Sequence, residues 1–509
     1  MFLVASEAQM SDLLDEGISL TTLNPPSPGV LKSDLMLFLD EPLNLELVDD
    51  VVRKINWYYT AFSRPVVRVY APEQALRNNI LQIVVLEGKL GDVRLEGSKD
   101  LRLLDKFKTQ EGELIEQDRI EKDIDDMNRN PSREVEVIYE EGENQGETDV
   151  VLKVTEKPKF SFAWGYADSG GALTEDERTN AGINWFKPFG FDHIMLYNVS
   201  GNPRFNLLNA HSLAYMIPLS NGHTLTLSGN YAKSGAKFPD PTLDVDGLSW
   251  GGGLNYSIPL GTIDKYSHGV SMGANFSRSN NLLEFNQISI SDTTTDTFEF
   301  VVGYNGTLTD DNGQTSLGVN LAYSPGGVTG HNTQEKLVAS GAGSANYEYI
   351  KFNAGRVTVL PNRFLWNVSA KAQISTTKLP GGGKFGMGGS SDLIGYDERE
   401  VSGDQGYMLT TDLTTPPIVL SKFFNQNWKD QLFLKVFAGY GETRVKGIDA
   451  NTLDPHTTLM SFGPGFRYNV GDHLNMKFDY GIQLKDSGQG LLTRRGYNHR
   501  GHFGVGLTF

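Results

Sequence analysis

From about residue 160 to the C-terminus, apolar and polar side chains alternate with a period of two, in segments separated by turns. The clearest segment is 474–485. Its apolar face consists of Leu474, Met476, Phe478, Tyr480, Ile482 and Leu484, and its opposite face of Asn475, Lys477, Asp479, Gly481, Gln483 and Lys485. This period predicts β-strands, because successive side chains of a strand point to opposite faces.

Two kinds of β-protein share this pattern. A soluble sandwich buries the apolar face, whereas a membrane barrel turns it to lipid and lines a wet lumen with the polar face. The chain has no stretch near the roughly 18 apolar residues of a membrane helix, so it can cross a bilayer only with strands. We predict a barrel of about sixteen strands, an even number as in single-chain bacterial barrels. Further alternating segments are 182–186, 224–231, 299–308, 315–323, 432–441 and 503–509.

Before residue 158, helical and strand patterns are mixed. A helix is predicted where Leu45, Val48, Val52, Ile55 and Tyr59 recur at spacings of three and four. The strand-helix-strand-strand scheme then repeats, which indicates two small α+β domains. We predict a short helix and a Pro-rich linker in residues 1–30, followed by domains at 31–97 and 98–157 and a barrel at 158–509.

Charge and cysteine content exclude several classes of function. The formal net charge is −17, which argues against a nucleic-acid partner because phosphate binding needs a basic face. The chain has no cysteine, which excludes disulfides and thiolate metal sites. The segment Met1 to Ala5 lacks the charged start and long apolar region of a signal peptide, so we expect that an export signal has been removed from this sequence.

Three short motifs match catalytic or nucleotide-binding patterns in unsuitable contexts. Gly-x-Ser-x-Gly occurs at 247–251 and 269–273, but more alternation follows where a hydrolase needs a turn into a helix. The Gly-rich run 381–386 is followed by more glycine and serine and not by a helix. The nine histidines show no metal-ligand spacing. We therefore predict no catalytic residues, no metal site and no cofactor.

Residues 84–97, 127–131 with 148–154, and 164–170 each match a segment of one known family, in the same order along the chain. They resemble the ends of two POTRA (polypeptide-transport-associated) domains and the first barrel strand of two-partner secretion transporters. The resemblance implies a mainly β fold, with a transmembrane antiparallel barrel of about sixteen strands preceded by two small α+β POTRA domains.

The most specific resemblance runs from Phe385 to Tyr396 and continues from Gly403 to Tyr407. It is similar to the family's sixth outer loop, which folds back into the barrel, and by our count it lies between strands eleven and twelve. The implied site consists of a loop motif and a partner motif on the inner wall. The loop motif is Leu393, Ile394, Gly395 and Tyr396, and the wall motif is Phe437, Gly439 and Gly441.

Both charges of the family's loop-to-wall pairing are missing from this sequence. The family pattern is Val-Arg-Gly-Tyr or Phe on the loop and Phe-x-Asp-x-Gly on the wall, and here Ile394 and Gly439 replace the arginine and the aspartate. Losing one partner of a buried pair costs about 3–5 kcal/mol, whereas losing both can be nearly neutral. We expect the loop to enter the lumen with Ile394 packed near Phe437, in the room that Gly439 leaves.

The resemblance also implies a function and a location. The chain would be a translocase in a Gram-negative outer membrane, with its N-terminal domains in the periplasm and residues 1–24 as a plug of the lumen. POTRA domains would capture an unfolded secreted exoprotein and pass it through the barrel. The alternatives are a barrel-assembly factor and a passive porin, although a porin does not need two α+β domains.

Further expected partners are outer-membrane lipid and the barrel-assembly machinery, which would recognise the aromatic final strand 503–509. We expect a monomer and no enzyme activity.

Overall fold

The structure is a computed structural model that divides the chain into two units, Met1–Pro158 and Lys159–Phe509. It describes the chain except residues 11–16, 21–22, 75–79, 145, 172–173, 238–242, 286–287, 425–427, 448–455 and 489–497. In the part of the chain that the structure describes, no helix is both long and apolar enough to cross a bilayer.

The first unit begins with an α/β module of three strands and two helices. Its elements are β1 (Phe2–Val4), α1 (Pro28–Met36), α2 (Leu45–Ala61), β2 (Val67–Tyr70) and β3 (Gln82–Glu87). The sheet order is β1-β3-β2, with β1 parallel and β2 antiparallel to β3. Asn44 caps α2 by accepting a hydrogen bond from the Leu47 N–H at 2.8 Å. The core between helices and sheet includes Leu31, Leu35, Ile55, Tyr59 and Ile83.

The second module repeats the same order of strand, helix and hairpin. Its elements are β4 (Lys89–Glu96), α3 (Gln117–Asn128), β5 (Arg133–Glu141) and β6 (Glu147–Glu156), and its sheet order is β4-β6-β5. Its own apolar core includes Leu90, Ile120, Met127, Val150 and Leu152. The two modules are joined by Arg64, which pairs with Glu87 at 2.9 Å and Glu116 at 3.2 Å.

The N-terminal residues differ from the sequence-based expectation of a helix and linker outside the first domain. Residues 2–4 pair with residues 82–84 in the first sheet, and Leu31 and Leu35 of α1 are buried in its core. Residues 11–16 and 21–22 of the segment expected to plug the lumen lie outside the described residues, and the plug stays a prediction. A three-residue strand is too short to show alternation, and Pro28 starts α1, where proline is well tolerated. The boundary between the two domains also differs from the prediction. The predicted boundary at residue 97 assigned β4 to the first domain, but β4 pairs in the second sheet.

The second unit is a closed barrel of sixteen antiparallel strands that pair in chain order, with the last strand returning to the first. A short antiparallel pair, β18 (Phe385–Met387) and β19 (Val401–Gly403), lies in a loop outside this ladder. The barrel strands are β7 (Phe160–Asp168), β8 (Glu177–Phe186), β9 (Ile194–Gly201), β10 (Leu208–Pro218), β11 (Thr224–Lys237), β12 (Leu243–Ile263), β13 (Tyr266–Phe285), β14 (Ile288–Asp310), β15 (Gly313–Ser324), β16 (Tyr347–Val359), β17 (Leu365–Ser375), β20 (Gln405–Thr414), β21 (Asp430–Arg444), β22 (His456–Val470), β23 (Leu474–Gln483) and β24 (His499–Thr508).

The two faces of the barrel wall differ as the alternation predicts. The outward face exposes large apolar side chains, among them Trp164, Leu254, Phe300, Leu409 and Val436. The inward face is small and polar, and its asparagines often lie directly opposite an inward glycine of the next strand. Such pairs include Gly165–Asn180, Asn230–Gly251, Gly253–Asn275, Asn255–Gly273, Gly303–Asn320 and Asn475–Gly506.

Connections at the two rims of the barrel differ in length. Short turns at one rim include residues 264–265 between β12 and β13, and 311–312 between β14 and β15. The opposite rim carries the long connections 325–346, which contains α4 (Gln334–Ala339), and 376–404, which contains β18 and β19. The first strand begins and the last strand ends at the rim with short turns, because the strand number is even.

The short motifs singled out in the sequence lie in ordinary strands and turns. The two Gly-x-Ser-x-Gly matches lie within the continuous strands β12 and β13, and neither leads into a helix. Residues 381–383 form a single 3-10 turn before β18, so the Gly-rich run does not open a helix either.

We expect that Phe478→Arg destabilises the barrel by about 2–4 kcal/mol, because Phe478 lies on the lipid-facing side of β23, where arginine is costly near mid-bilayer. The matched control is Asn475→Arg on the inward face of the same strand, where the new charge meets water. Unfolding in detergent or lipid by urea measures both. Equal destabilisation by the two substitutions would show that the faces of β23 are wrongly assigned.

Candidate functional site

The loop of residues 376–404 joins β17 to β20, the eleventh and twelfth strands of the barrel. The paired strands β18 and β19 form its stem, and it has its own buried apolar cluster. That cluster includes Met408 of β20 and Leu459 of β22, which are inward residues of the wall. The loop therefore folds back against the inner wall. Its own members of the cluster are Phe385, Met387, Leu393, Tyr396 and Val401.

At the tip of the loop, two glycines bring backbone against backbone. Gly395 has φ 110°, a conformation that favours glycine, and packs on Gly481 of β23. A Cβ on Gly481 would lie 2.5 Å from the Gly395 Cα, so neither position has room for a side chain. The Gly395 carbonyl accepts a hydrogen bond from the Gln483 Nε2 at 2.6 Å, and its N–H donates to the His502 Nε2 at 3.4 Å.

Tyr396 fastens the loop to the wall through its hydroxyl. The side chain is fully buried. Its oxygen lies 2.8 Å from the Met460 carbonyl and 2.6 Å from the Lys485 carbonyl, and accepts a hydrogen bond from the Met460 N–H at 3.0 Å. The hydroxyl accepts from the Met460 N–H and donates its single proton to one of the two carbonyls, so one side chain connects the loop to β22 and to the segment after β23.

The room above Gly439 is filled by Leu393 and not by Ile394. A Cβ on Gly439 would lie 2.5 Å from the Leu393 Cδ2, and one on Gly441 would lie 3.3 Å from the Leu393 Cδ1. Ile394 and Phe437 instead line a small cavity of about 220 Å³ beside the tip. The structure therefore places Ile394 beside Phe437 and Leu393 over Gly439.

Ion pairs connect the loop to the barrel wall. The loop carries the negative charges and the wall the positive ones, the reverse of the pattern that the resemblance implied. Asp392 and Asp397 flank the tip motif on either side. Asp392 pairs with Lys371 of β17 at 2.6 Å, and Asp397 pairs with Arg500 of β24. The acids are therefore on the loop and the bases are on the wall, the opposite of a loop arginine and a wall aspartate.

Arg500 has further acidic partners near the meeting point of the first and last strands. It lies 2.9 Å from Asp168 at the end of β7 and 3.5 Å from Asp176. A separate buried pair, Lys435–Asp479 at 2.8 Å, belongs entirely to the wall beneath the tip. Sequence reasoning missed these pairs, because the pairing depends on which wall positions face the loop after it folds back: Lys371 is 21 residues from Asp392, but Arg500 is more than a hundred from Asp397.

We expect Arg500→Leu to lower the free energy of unfolding by about 3–5 kcal/mol, because it removes the largely buried guanidinium that pairs with Asp168, Asp176 and Asp397. Asp397→Asn should cost less, since Arg500 keeps Asp168 and Asp176. Arg444→Leu is the control, because the Arg444 side chain is 67% exposed in its pair with Glu442, and such pairs contribute about 0–1 kcal/mol. Urea unfolding that ranks Arg500→Leu with the control would contradict this account of the loop.

We expect Gly481→Ala to lift the loop from the wall, because the added methyl group overlaps the backbone of Gly395. Gly182→Ala is the matched control: it is also an inward strand glycine, but its Cβ would have 3.6 Å of clearance. A cysteine at buried Val401 reports loop opening without background, since the chain has no other cysteine. Thiol labelling should be at least about fivefold faster with Gly481→Ala and unchanged with Gly182→Ala. Unchanged labelling in both would show that the glycine contact does not hold the loop.

Comparison with known proteins supports the geometry. Residues 146–468 match the family described as haemolysin secretion/activation protein ShlB/FhaC/HecB. The outer membrane transporter CdiB of Escherichia coli O6:K15:H31 is 22% identical over 371 residues, 68% of this chain and 59% of that protein. The heme/hemopexin transporter protein HuxB of Haemophilus influenzae 86-028NP is 22% identical over 392 residues, 74% of this chain and 67% of that protein. The chain thus spans only part of these relatives, and 30% of CdiB from Dickeya dadantii.

Solved structures show the same fold. CdiB from Escherichia coli superposes with a TM-score of 0.76 at 16% identity, over 100% of this chain and 90% of that one. BamA from Haemophilus ducreyi lacking POTRA domains 1–3 superposes with a TM-score of 0.58 at 15% identity, over 96% of this chain and 98% of that one. The predicted fold, a sixteen-stranded antiparallel barrel preceded by two small α+β POTRA domains, is confirmed. Because the family match covers well over half of the sequence, the chain belongs to the ShlB/FhaC/HecB family of haemolysin secretion/activation proteins.

Proposed function

We propose that the chain is an outer-membrane translocase that exports an unfolded partner exoprotein. The POTRA modules capture the exoprotein in the periplasm, and the barrel conducts it across the membrane. The observation that carries this proposal is a groove of peptide size along a free strand edge in the second module. The chain also belongs to a family of secretion proteins. The relatives named as transporters support the same assignment.

The groove lies between α3 and β5. Since β5 is the last strand in the order β4-β6-β5, no other described strand pairs with its outer edge. The groove holds about 500 Å³ and has apolar floor residues, Ile120, Ile124 and Val137, beside the aromatic ring of Tyr139. An extended peptide can add to such an edge through main-chain hydrogen bonds, with little demand on its sequence.

Tyr139 can also donate a hydrogen bond at the groove. Burial and the nearby Glu121 carboxylate raise the pKa of its hydroxyl, so the group is protonated at neutral pH. Tyr139 as a whole is 39% exposed, which leaves surface for a bound chain. The groove therefore combines a free backbone edge, an apolar floor and a hydroxyl that can donate a hydrogen bond.

The two rims of the barrel set the proposed orientation. Outer-membrane barrels have short turns on the periplasmic side and longer loops outside the cell. In this barrel, β7 begins at the rim with short turns, directly after residue 158, so the N-terminal modules belong to the periplasmic side. The long connections 325–346 and 376–404 start from the outer rim.

We further propose that export needs no cofactor and no catalytic residue, and that the direction comes from folding of the exoprotein outside the cell. The barrel works as a monomer surrounded by outer-membrane lipid. The barrel-assembly machinery recognises the final strand during insertion, together with Phe509, whose backbone N–H donates to the Phe162 carbonyl at 2.8 Å.

Insertion of other barrels is the second candidate function. It is favoured by the junction of β24 with β7, which has only five residue pairs in register, whereas β13 and β14 share twenty. The superposition on BamA shows a shared fold. A passive porin has no comparable support, because the POTRA modules would then serve no purpose.

We expect Tyr139→Asp to reduce export about tenfold, because it places a charge on the apolar floor of the groove and removes about 1.5 kcal/mol or more of apolar contact. Ile138→Asp is a close control: it is the adjacent residue, is equally exposed at 39%, and points to the opposite face of the sheet. The readout is the amount of a co-expressed partner exoprotein that reaches the medium of a Gram-negative host.

Two outcomes would contradict the proposal. Equal export by both variants would remove the groove from the pathway. Normal export without this chain, combined with loss of other outer-membrane barrels from the membrane, would favour the insertion function.

A further inference from the structure

We propose that the lumen carries a neutral face of asparagine amides that binds the main chain of the passing polypeptide. This inference rests on the proposed export function and names the surface that the exported chain touches inside the barrel. The surface, here called the amide face, consists of the inward pairs Asn230–Gly251, Gly253–Asn275 and Asn255–Gly273 on β11, β12 and β13.

The amide face is part of a wall without charge. From β9 to β13, the inward positions among the described residues carry no ionisable side chain. The wall near the loop is the opposite: Lys371, Asp412, Lys435, Lys477 and Asp479 all point inward there. The lumen thus has a charged side, against which the loop packs, and a neutral side facing it.

The glycine opposite each asparagine determines how much space the asparagine side chain has and how it lies on the wall. A Cβ on Gly253 would overlap the Asn275 Oδ1, and a Cβ on Gly251 would lie 3.1 Å from the Asn230 Oδ1. The asparagine side chain therefore lies flat across the neighbouring strand, in space that any larger residue would fill. This arrangement lines the wall with amides and keeps the lumen open.

Two of these amides are available to a ligand. Asn230 and Asn275 are exposed, and their side chains make no hydrogen bond to any residue that the structure describes. Asn255 donates to the Ser257 hydroxyl at 2.9 Å and keeps its carbonyl oxygen free. A primary amide offers two donors and one acceptor, which match the C=O and N–H of a peptide group.

This chemistry suits a moving polypeptide of varied sequence. An apolar wall would retain hydrophobic segments, and a charged wall would retain or repel segments by charge. A neutral amide instead forms weak hydrogen bonds with one peptide group after another, whatever side chains pass. Each such bond contributes about 0.5–1.5 kcal/mol. The face therefore recognises the one feature that every unfolded chain shares.

The test uses the full chain in detergent and an uncharged peptide of about twenty alternating glycine and serine residues with a central benzophenone group. In the wild type we expect photo-crosslinks to residues of β11 to β13, with a yield that does not fall as salt is raised. Asn230→Leu, Asn255→Leu and Asn275→Leu together should lower the yield about tenfold. The corresponding three Asn→Gln substitutions keep the amides and should keep most of the yield.

Several outcomes would overturn the proposal. They are equal yield from the leucine variant and the wild type, equal loss in the glutamine and leucine variants, or competition by an uncharged oligosaccharide but not by unlabelled peptide. Heat-modifiable mobility in gels establishes that each variant is a folded barrel. If these crosslinks fail while the wild type still exports its exoprotein, only the amide face is wrong; if the wild type exports nothing, the export function itself is wrong.

Discussion

Every backbone N–H and C=O within the lipid needs a partner, because hydrocarbon offers none, and the structure of the second unit depends on this constraint. Sixteen strands meet it by closing into a ring of antiparallel ladders. Closure fixes the register of each strand, and the register determines which side chains face lipid and which face water. The apolar requirement then applies only to the outer face, and the inner face is left free for function.

The inner face uses that freedom in two ways. On one side, glycines such as Gly439 and Gly481 let a loop lie directly on the wall, and acids of the loop meet bases of the wall. The loop aspartates Asp392 and Asp397 pair with the wall bases Lys371 and Arg500, the reverse of the loop arginine and wall aspartate that the resemblance in the sequence implied. On the other side, glycines make room for asparagine amides. In both cases the missing Cβ of glycine decides what can approach the wall.

The sequence predicted the features that depend on local patterns and missed those that depend on distant register. Alternation along 474–485 was enough to assign both faces of β23, and the strand count placed the loop between strands eleven and twelve. The pair of Asp397 with Arg500 could not be found this way, because it joins residues more than a hundred positions apart. Residues 2–4 were missed because three residues are too few for a period, and their partner strand begins at residue 82.

Strands β12, β13 and β14 are 21, 20 and 23 residues long, about twice the length that crosses a bilayer. Their outward face changes along the strand from apolar residues such as Leu254 to the ion pair of Arg278 with Asp296, which also anchors Thr329 of the outer connection. In the proposed orientation, this charged upper part stands in the medium as an ordered sheet. Antibodies, phages and proteases that approach an intact cell would therefore meet paired strands there, and an epitope formed by several strands at once.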